Sequence, residues 1–405
     1  MNPIPNDICL EIFSRLPAKS VGRFRCVSKL WDSMLQHPYF TKLFLSRSPA
    51  RPRLLFAIHG FGEREFFFFS LPLHQIRYDN SSSPVIAADF HMKLPGDMCT
   101  ETWCYASGLM YFPNMWNAKK GEDRVNVICN PSTRLCADLP EMRMDKDSRS
   151  FLGFDPIDKQ FKVLFLAHPS CDDDHRILTL GTGNSSWRKI NCPLPHTPSS
   201  KRKGICINGV LYYLAHASKI VCFDVRSEKF KFIDGKSNGV RFTKLVNYKG
   251  KLGVIIKYAT FADTKFTTCA IELRMWVLED VEKQEWSEHA FTLKGDEIVG
   301  FCDDYDVGVT AYGDIVLLSS HHPCGSFCVF FFNPERNSLQ RVEFRGKHEA
   351  LHRCNNIVYA FENHEEDLEF NVMETTYAAT SSNPQLRGTF ESMNKFDALC
   401  LSDDD

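Results

Sequence analysis

One short pattern recurs through most of this chain and limits what it can fold into. An apolar run ends in Asp or Asn, a polar turn follows, and an apolar residue opens the next run. Asn130-Pro131-Ser132-Thr133-Arg134 leads to Leu135, and Asp155-Pro156-Ile157-Asp158-Lys159 leads to Phe161. Asp224 leads through Arg226-Ser227-Glu228 to Phe230, Asp280 through Glu282-Lys283-Gln284 to Trp286, and Asn333 through Glu335-Arg336-Asn337 to Leu339. Such punctuation between runs rich in Val, Ile, Phe and Tyr marks short strands joined by tight turns. Between Arg53 and Phe344 no long amphipathic helical pattern competes. The anchors 155, 224, 280 and 333 lie 69, 56 and 53 residues apart, near the ~50 of one family of blade-forming repeats. A β-propeller of four to eight sheets is the natural closure, because it leaves only short, protected edges. The alternative is a β-sandwich with coincidentally similar turns.

The first 48 residues have a different texture. Ile8, Cys9, Ile12, Phe13 and Leu16 follow one helical stripe, with Asn6 or Asp7 as cap and Pro17 as stop. Ser20 is placed to cap a second short helix through Val21 and Phe24, and Ser28 a third carrying Leu30, Trp31, Met34 and Leu35. Pro38 suits the first turn of a fourth, with Tyr39, Phe40, Leu43 and Phe44. After about Asn363 the composition turns acidic and polar. The expected organisation is a helical module at 1–48, an all-β domain at 49–374 and a polar, acidic tail at 375–405.

Residues Ile4-Pro5-Asn6-Asp7-Ile8-Cys9-Leu10-Glu11-Ile12-Phe13-Ser14-Arg15-Leu16-Pro17 and Arg23-Phe24-Arg25-Cys26-Val27-Ser28-Lys29-Leu30-Trp31 resemble the two halves of an F-box. The body resembles the kelch-like F-box-associated domain of plant F-box proteins. That match rests on Phe151-Leu152-Gly153-Phe154-Asp155-Pro156, Lys162-Val163-Leu164, Trp187-Arg188, Gly209-Val210-Leu211-Tyr212 and Asn363-His364-Glu365-Glu366-Asp367-Leu368. The resemblance implies a small all-α F-box followed by an all-β, kelch-like β-propeller. It also implies docking on a Skp-type linker protein, and through it a cullin, by Ile4, Pro5, Ile8, Leu10, Ile12, Leu16, Pro17, Val27 and Trp31. Cys9 stands where the family more often has a larger aliphatic residue.

The residues themselves point the same way. A segment this small cannot bury a self-sufficient core, and Leu10 lies off the main stripe of its helix, leaving apolar surface for a partner. Arg15, Lys19, Arg23, Arg25 and Lys29 occur with no acid between Glu11 and Asp32, a basic stretch suited to steering an acidic protein partner. Ile12 and Trp31 suit core and interface equally.

Composition narrows the function further. Lys+Arg 48 against Asp+Glu 50 leaves a net charge of −2, which argues against a nucleic-acid coat. The 16 cysteines are scattered without framework spacing, so free thiols in a reducing compartment are expected. The N-terminus lacks a basic region followed by an apolar block, no apolar run reaches the ~18 residues of a membrane span, and an intracellular protein of cytoplasm or nucleus is expected. The sequons at Asn80 and Asn184 are then incidental.

No catalytic or cofactor-binding constellation assembles. Gly235-Lys236-Ser237-Asn238-Gly239 has the letters of a hydrolase elbow, but strand patterns flank it where the motif needs a following helix. His321-His322-Pro323-Cys324 with Cys328 lacks a second closely spaced ligand pair, and no C-x2-C occurs. Gly181-Thr182-Gly183 lacks a third glycine, and Asp304-Tyr305-Asp306-Val307-Gly308 puts its glycine too early for a calcium loop. Asp172-Asp173-Asp174-His175 reads as a solvated loop, and Lys201-Arg202-Lys203 as a weak import signal.

The favoured expectation is therefore a substrate-recognition adaptor of an SCF-type ubiquitin ligase, with no enzymatic activity, no metal and no cofactor. The alternatives are a kelch-type propeller enzyme with a metal or acid site, and an F-box protein acting outside a ligase. The unknown protein substrate is expected on one rim of the β domain, remote from the helices, at Asn114–Arg124, Cys171–Asp174, His196–Lys203, Thr260–Thr267 and Ser319–Ser326.

Overall fold

A computed structural model describes residues 4–60, 65–73, 84–95, 102–116, 124–142, 148–167, 174–182, 186–199, 203–215, 219–236, 243–261, 269–294, 305–319, 321–322, 327–346, 348–352 and 356–372. Four short helices, α1 (Asn6–Phe13), α2 (Ala18–Arg25), α3 (Lys29–Gln36) and α4 (Pro38–Arg47), precede six sheets, antiparallel but for one parallel pair. Among the described residues no helix is long and apolar enough to cross a membrane.

The sheets are the blades of a propeller. From innermost to outermost strand, blade two holds Cys104–Ala106, Leu109–Trp116, Arg124–Asn130 and Leu135–Asp138. Blade three holds Arg149–Asp155, Gln160–Leu166, Arg176–Thr179 and Arg188–Lys189. Blade four runs Ile205–Ile207, Val210–Leu214, Lys219–Asp224 and Lys229–Asp234, and blade five Thr243–Tyr248, Lys251–Phe261, Cys269–Asp280 and Glu285–Lys294. Blade six holds Tyr305–Val309, Ile315–Ser319, Phe327–Asn333 and Ser338–Arg345.

Blade one closes the ring. Its long inner strand, Asn356–His364, edged by the two-residue strand His321–His322, comes from late in the chain, and its outer three, Arg53–Gly60, Glu65–Pro72 and Asp89–Pro95, come from early in it. Phe56 sits opposite Ala360 and Ile58 opposite Val358 across that seam. A second seam runs parallel: Val85–Ala87 adds to the outer edge of blade six, with Ile86 opposite Phe344.

Each blade is buried on both faces, which explains continuous apolar runs. Successive side chains of a strand point to opposite faces. Phe66 and Phe68 therefore enter the cluster shared with blade two, whereas Phe67 and Phe69 enter the cluster shared with blade six. Stacked sheets around an axis, rather than two opposed sheets, exclude the sandwich alternative.

The recurrent turn has one physical basis in all five places. The anchor carboxylate or amide oxygen accepts backbone N–H groups two or three residues on: Asn130 from Ser132 at 2.9 Å, Asp155 from Ile157 at 2.9 Å, Asp224 from Ser227 at 2.6 Å, Asp280 from Glu282 at 2.8 Å, and Asn333 from Arg336 at 2.8 Å. The fourth residue after each anchor turns left-handed: Arg134, Lys159, Glu228, Gln284 and Asn337 all have positive φ. Four of these turns join the third and fourth strands of their blades. Asp155 instead joins the first and second strands of blade three, so the 69-residue interval compares unlike positions.

Several local expectations need correction. The N-caps of α1 and α2 are Pro5 and Pro17, without side-chain bonds, and Ser20 lies inside α2. Ser28 does cap α3 by accepting the Trp31 N–H at 3.2 Å, and Pro38 does open α4. Cys129 and Cys136 are not free thiols but form a disulfide. They stand directly opposite each other across neighbouring strands, a juxtaposition that spacing alone does not reveal. The tail at 375–405 lies outside the described residues.

Candidate functional site

The helices present an apolar face that their own core does not use. Phe13, Val21, Leu35, Phe40 and Phe44 close that core, with Trp31 set edge-on to Phe13 at 5.0 Å and to Phe24 at 5.5 Å. Cys9, Leu10 and Leu16 also turn partly inward against it. Ile4, Ile8 and Ile12, four residues apart, are 60%, 47% and 48% exposed, and Val27 and Leu30 are 63% and 58% exposed. Spacing by four places the three isoleucines on one side of α1 and its lead-in. The expected stripe is thus divided: Cys9, Phe13 and Leu16 face in, Ile8 and Ile12 face out. Of the nine residues expected to meet a linker, Ile4, Pro5, Ile8, Ile12 and Val27 are exposed. Leu10, Leu16, Pro17 and Trp31 are half-buried.

Charge is arranged less simply than the basic stretch implies. Glu11 accepts from Arg47 and from Arg15, the latter at 2.7 Å, and these bonds, Arg47 foremost, hold its carboxyl below the ordinary range. Arg25 donates to Asp32 at 2.8 Å, which with Gln36 lowers the Asp32 carboxyl. Lys19 turns towards Asp89 of blade one at 3.9 Å. The stretch is therefore not one basic face, because Arg15, Lys19 and Arg25 turn to separate acids.

The helices sit on the face of the propeller that carries the turns between first and second and between third and fourth strands. The segment after the last strand is wedged between them. Leu368 packs into the helical core, and the Glu366 carboxylate accepts a backbone hydrogen bond from Ala18. On the other side Asp367 N–H donates to Ser132 Oγ at 3.1 Å, and Glu365 N–H to Tyr105 Oη at 2.9 Å. Phe370 packs edge-on to Phe161 at 4.7 Å, and Val372 is fully buried. This strap was missed in the sequence. Its signal was Leu368, Phe370 and Val372 alternating with Glu369 and Asn371 inside an acidic stretch.

The five loops expected to hold a substrate lie largely outside the described residues, but the strands that bound them are described. Every one of the five leaves from the ends of second strands or from the passage between blades. The described strand ends that bound them lie at the face opposite the helices.

Between the two faces runs a channel of about 590 Å³. Lys244 Nζ donates there to Asp306 at 3.1 Å and to Glu362 at 3.1 Å, tying together blades five, six and one. Burial would lower the Lys244 ammonium, but the two carboxylates outweigh it and hold it above its ordinary value. A side chain at Gly308 would collide with the Glu362 carboxylate. Lys203 is not part of a surface basic patch: its nitrogen lies over the Phe361 ring at 4.8 Å. Lys201 and Arg202 lie outside the described residues.

Among the described residues the remaining candidates form no catalytic arrangement. The element after Gly235–Gly239 is the strand Thr243–Tyr248, not a helix, and Ser237 lies outside the described residues. Cys324 also lies outside them, and Cys328 is a half-buried thiol in a strand. His175 departs from the solvated-loop reading: it is buried, and its Nδ1 accepts the Ala167 N–H at 3.1 Å. Among the described residues no group of three or more His, Cys, Asp or Glu is placed to hold a metal ion.

Comparison with known proteins agrees with this architecture. Residues 53–365 match the F-box associated beta propeller domain family, and residues 1–46 match the F-box-like family. The F-box protein At3g57590 of Arabidopsis thaliana is 49% identical over 387 residues, covering 92% of each chain. The F-box protein At2g15640 of the same plant is 45% identical, covering 91% of this chain and 94% of its own. Among solved structures, apo AztD from Citrobacter koseri aligns with 77% of this chain and 99% of its own, at 11% identity and a TM-score of 0.37.

Proposed function

The chain belongs to the F-box proteins that carry an F-box-associated β-propeller domain, and on that premise we propose that it is the substrate-recognition adaptor of an SCF-type ubiquitin ligase. The exposed isoleucines of α1 dock the Skp-type linker, the linker joins the cullin, and the propeller presents a protein substrate. The observation that carries this reading is the Ile4–Ile8–Ile12 face, which neither the helical core nor the propeller covers. A contiguous exposed apolar patch marks an interaction site.

The place of the helices on one face of the propeller supports a division of labour. With a substrate held at the opposite face, one chain engages linker and substrate at once without collision. The protein supplies no bond-breaking group. It raises the effective concentration of the substrate lysine beside the ubiquitin-charged enzyme. Its place of work is the cytoplasm or nucleus, where that machinery operates.

The test is capture of linker and cullin by the full chain from a plant extract. Wild type should recover both, and an Ile8→Asp, Ile12→Asp double variant neither, with unchanged circular dichroism. Equal recovery by the two chains would remove this face as the docking site.

A further inference from the structure

Lys203 brings an amine to the channel wall and pairs it with rings rather than with an acid. It stands just ahead of the innermost strand of blade four, at the end of that strand away from the helices. Its Nζ lies 4.8 Å from the centroid of the Phe361 ring and 5.6 Å from that of Tyr359. Phe361 in turn stacks with Trp103 at 6.3 Å and 15°, so an aromatic wall continues beside the nitrogen from blade one towards blade two. Among the described residues Lys203 makes no hydrogen bond and no ion pair.

The charges that face it come from the neighbouring blades. Asp306 of blade six and Glu362 of blade one attract its charge, but both are already held by Lys244 at 3.1 Å. Burial is the foremost influence on Lys203, and together with repulsion from Lys244 it pulls the ammonium below the ordinary lysine value against Asp306, Glu362 and Cys104. The Cys104 thiol is itself pushed up to about 11 by burial. A lysine withdrawn from water beside a second cation is in the surroundings that make an amine nucleophilic.

We propose that Lys203 captures a small aromatic aldehyde as an imine within the channel. The space of about 590 Å³ is of the size that small-molecule sites have. The Nζ lone pair, one proton having passed to solvent, attacks the carbonyl carbon. The carbonyl oxygen takes up the two remaining amine protons through solvent and leaves as water, and a proton returns to the nitrogen. One C=N bond thus replaces one C=O bond, with no oxidant or reductant consumed. The protonated imine keeps the positive charge that Asp306 and Glu362 face, and the ligand's ring lies against Phe361. An exposed lysine offers neither the rings nor the paired carboxylates. Capture needs neither linker nor substrate, so the inference stands apart from the adaptor reading.

Benzaldehyde with cyanoborohydride as trap, at about pH 7, tests this on the full chain, with Lys203→Arg and the control Lys189→Arg, an exposed lysine. Peptide mapping of wild type and Lys189→Arg should place the first lysine-borne benzyl group on Lys203, about tenfold or more faster than on any exposed lysine. Lys203→Arg, which keeps the charge, should lose that fast phase. Acetaldehyde, which has no ring to stack, should prefer Lys203 less. First labelling of exposed lysines in wild type would overturn the proposal whether or not the arginine variant folds. So would an unchanged fast phase in Lys203→Arg, or an equal preference with acetaldehyde, which would make Lys203 a reactive amine without a ligand site.

Discussion

Asn130 Nδ2 donates to the Asp367 carbonyl at 3.0 Å, so a turn of the propeller grips the strap that carries Leu368 into the helical core. The same amide's oxygen organises the turn itself by accepting Ser132 N–H. One side chain thereby links the repeat architecture to the junction between domains.

Leu368→Ala should loosen that junction. Loss of a half-buried leucine costs roughly 1–2 kcal/mol, below the about 2–5 kcal/mol of fully buried leucine truncations. Amide exchange should quicken in α2 and in the strap while the propeller blades stay protected. Unchanged exchange in α2 would show that the helices are held by other contacts.

The recurrent turns predict a stability effect without a functional one. Asp280→Ala removes the acceptor for Glu282 N–H and Lys283 N–H, at a cost of about 1 kcal/mol. Denaturant midpoint should fall and linker capture should not. A neutral substitution would mean that the backbone hydrogen bonds of the hairpin suffice.

The channel cluster predicts an acid-dependent term. Burial would raise the Asp306 carboxyl, but Lys244 and then Lys203 outweigh it and hold it below its ordinary value. A carboxyl lowered in the folded state contributes stability that is present above its unfolded pKa and lost as pH falls through its folded pKa. The stability gap between wild type and Asp306→Asn should thus be widest near neutrality and narrow in strong acid. A gap independent of pH would assign the loss to packing.

The disulfide gives a chemical check. Non-reducing peptide mapping should recover Cys129 joined to Cys136. Because the bond closes a loop of only seven residues' separation, reduction should lower stability by about 2–3 kcal/mol and leave the register of the two strands intact. Recovery of both as free thiols would restore the expectation drawn from cysteine spacing.

Much of this was legible in the sequence because tight turns are local. An Asp or Asn that caps its own turn declares itself within five residues, and so the β architecture and the helical module could be read directly. Asp155 misled because its turn obeys the same local chemistry at a different place in its blade. The inward and outward sides of α1 were not legible, since Ile8, Cys9, Ile12 and Phe13 are all apolar and only the packed bundle decides which face is covered. The strap was hidden by composition: buried acids such as Glu366, whose carboxyl burial raises, disguise a docked segment as a solvated one.

The most direct measurement is the affinity of the purified full chain for a purified Skp-type linker, compared with Ile8→Asp, Ile12→Asp. The adaptor account predicts tight binding by wild type and a loss of about a hundredfold or more in the variant, as expected when charge is placed in the centre of an apolar interface. Equal affinity, or no binding by the wild-type chain, would contradict it.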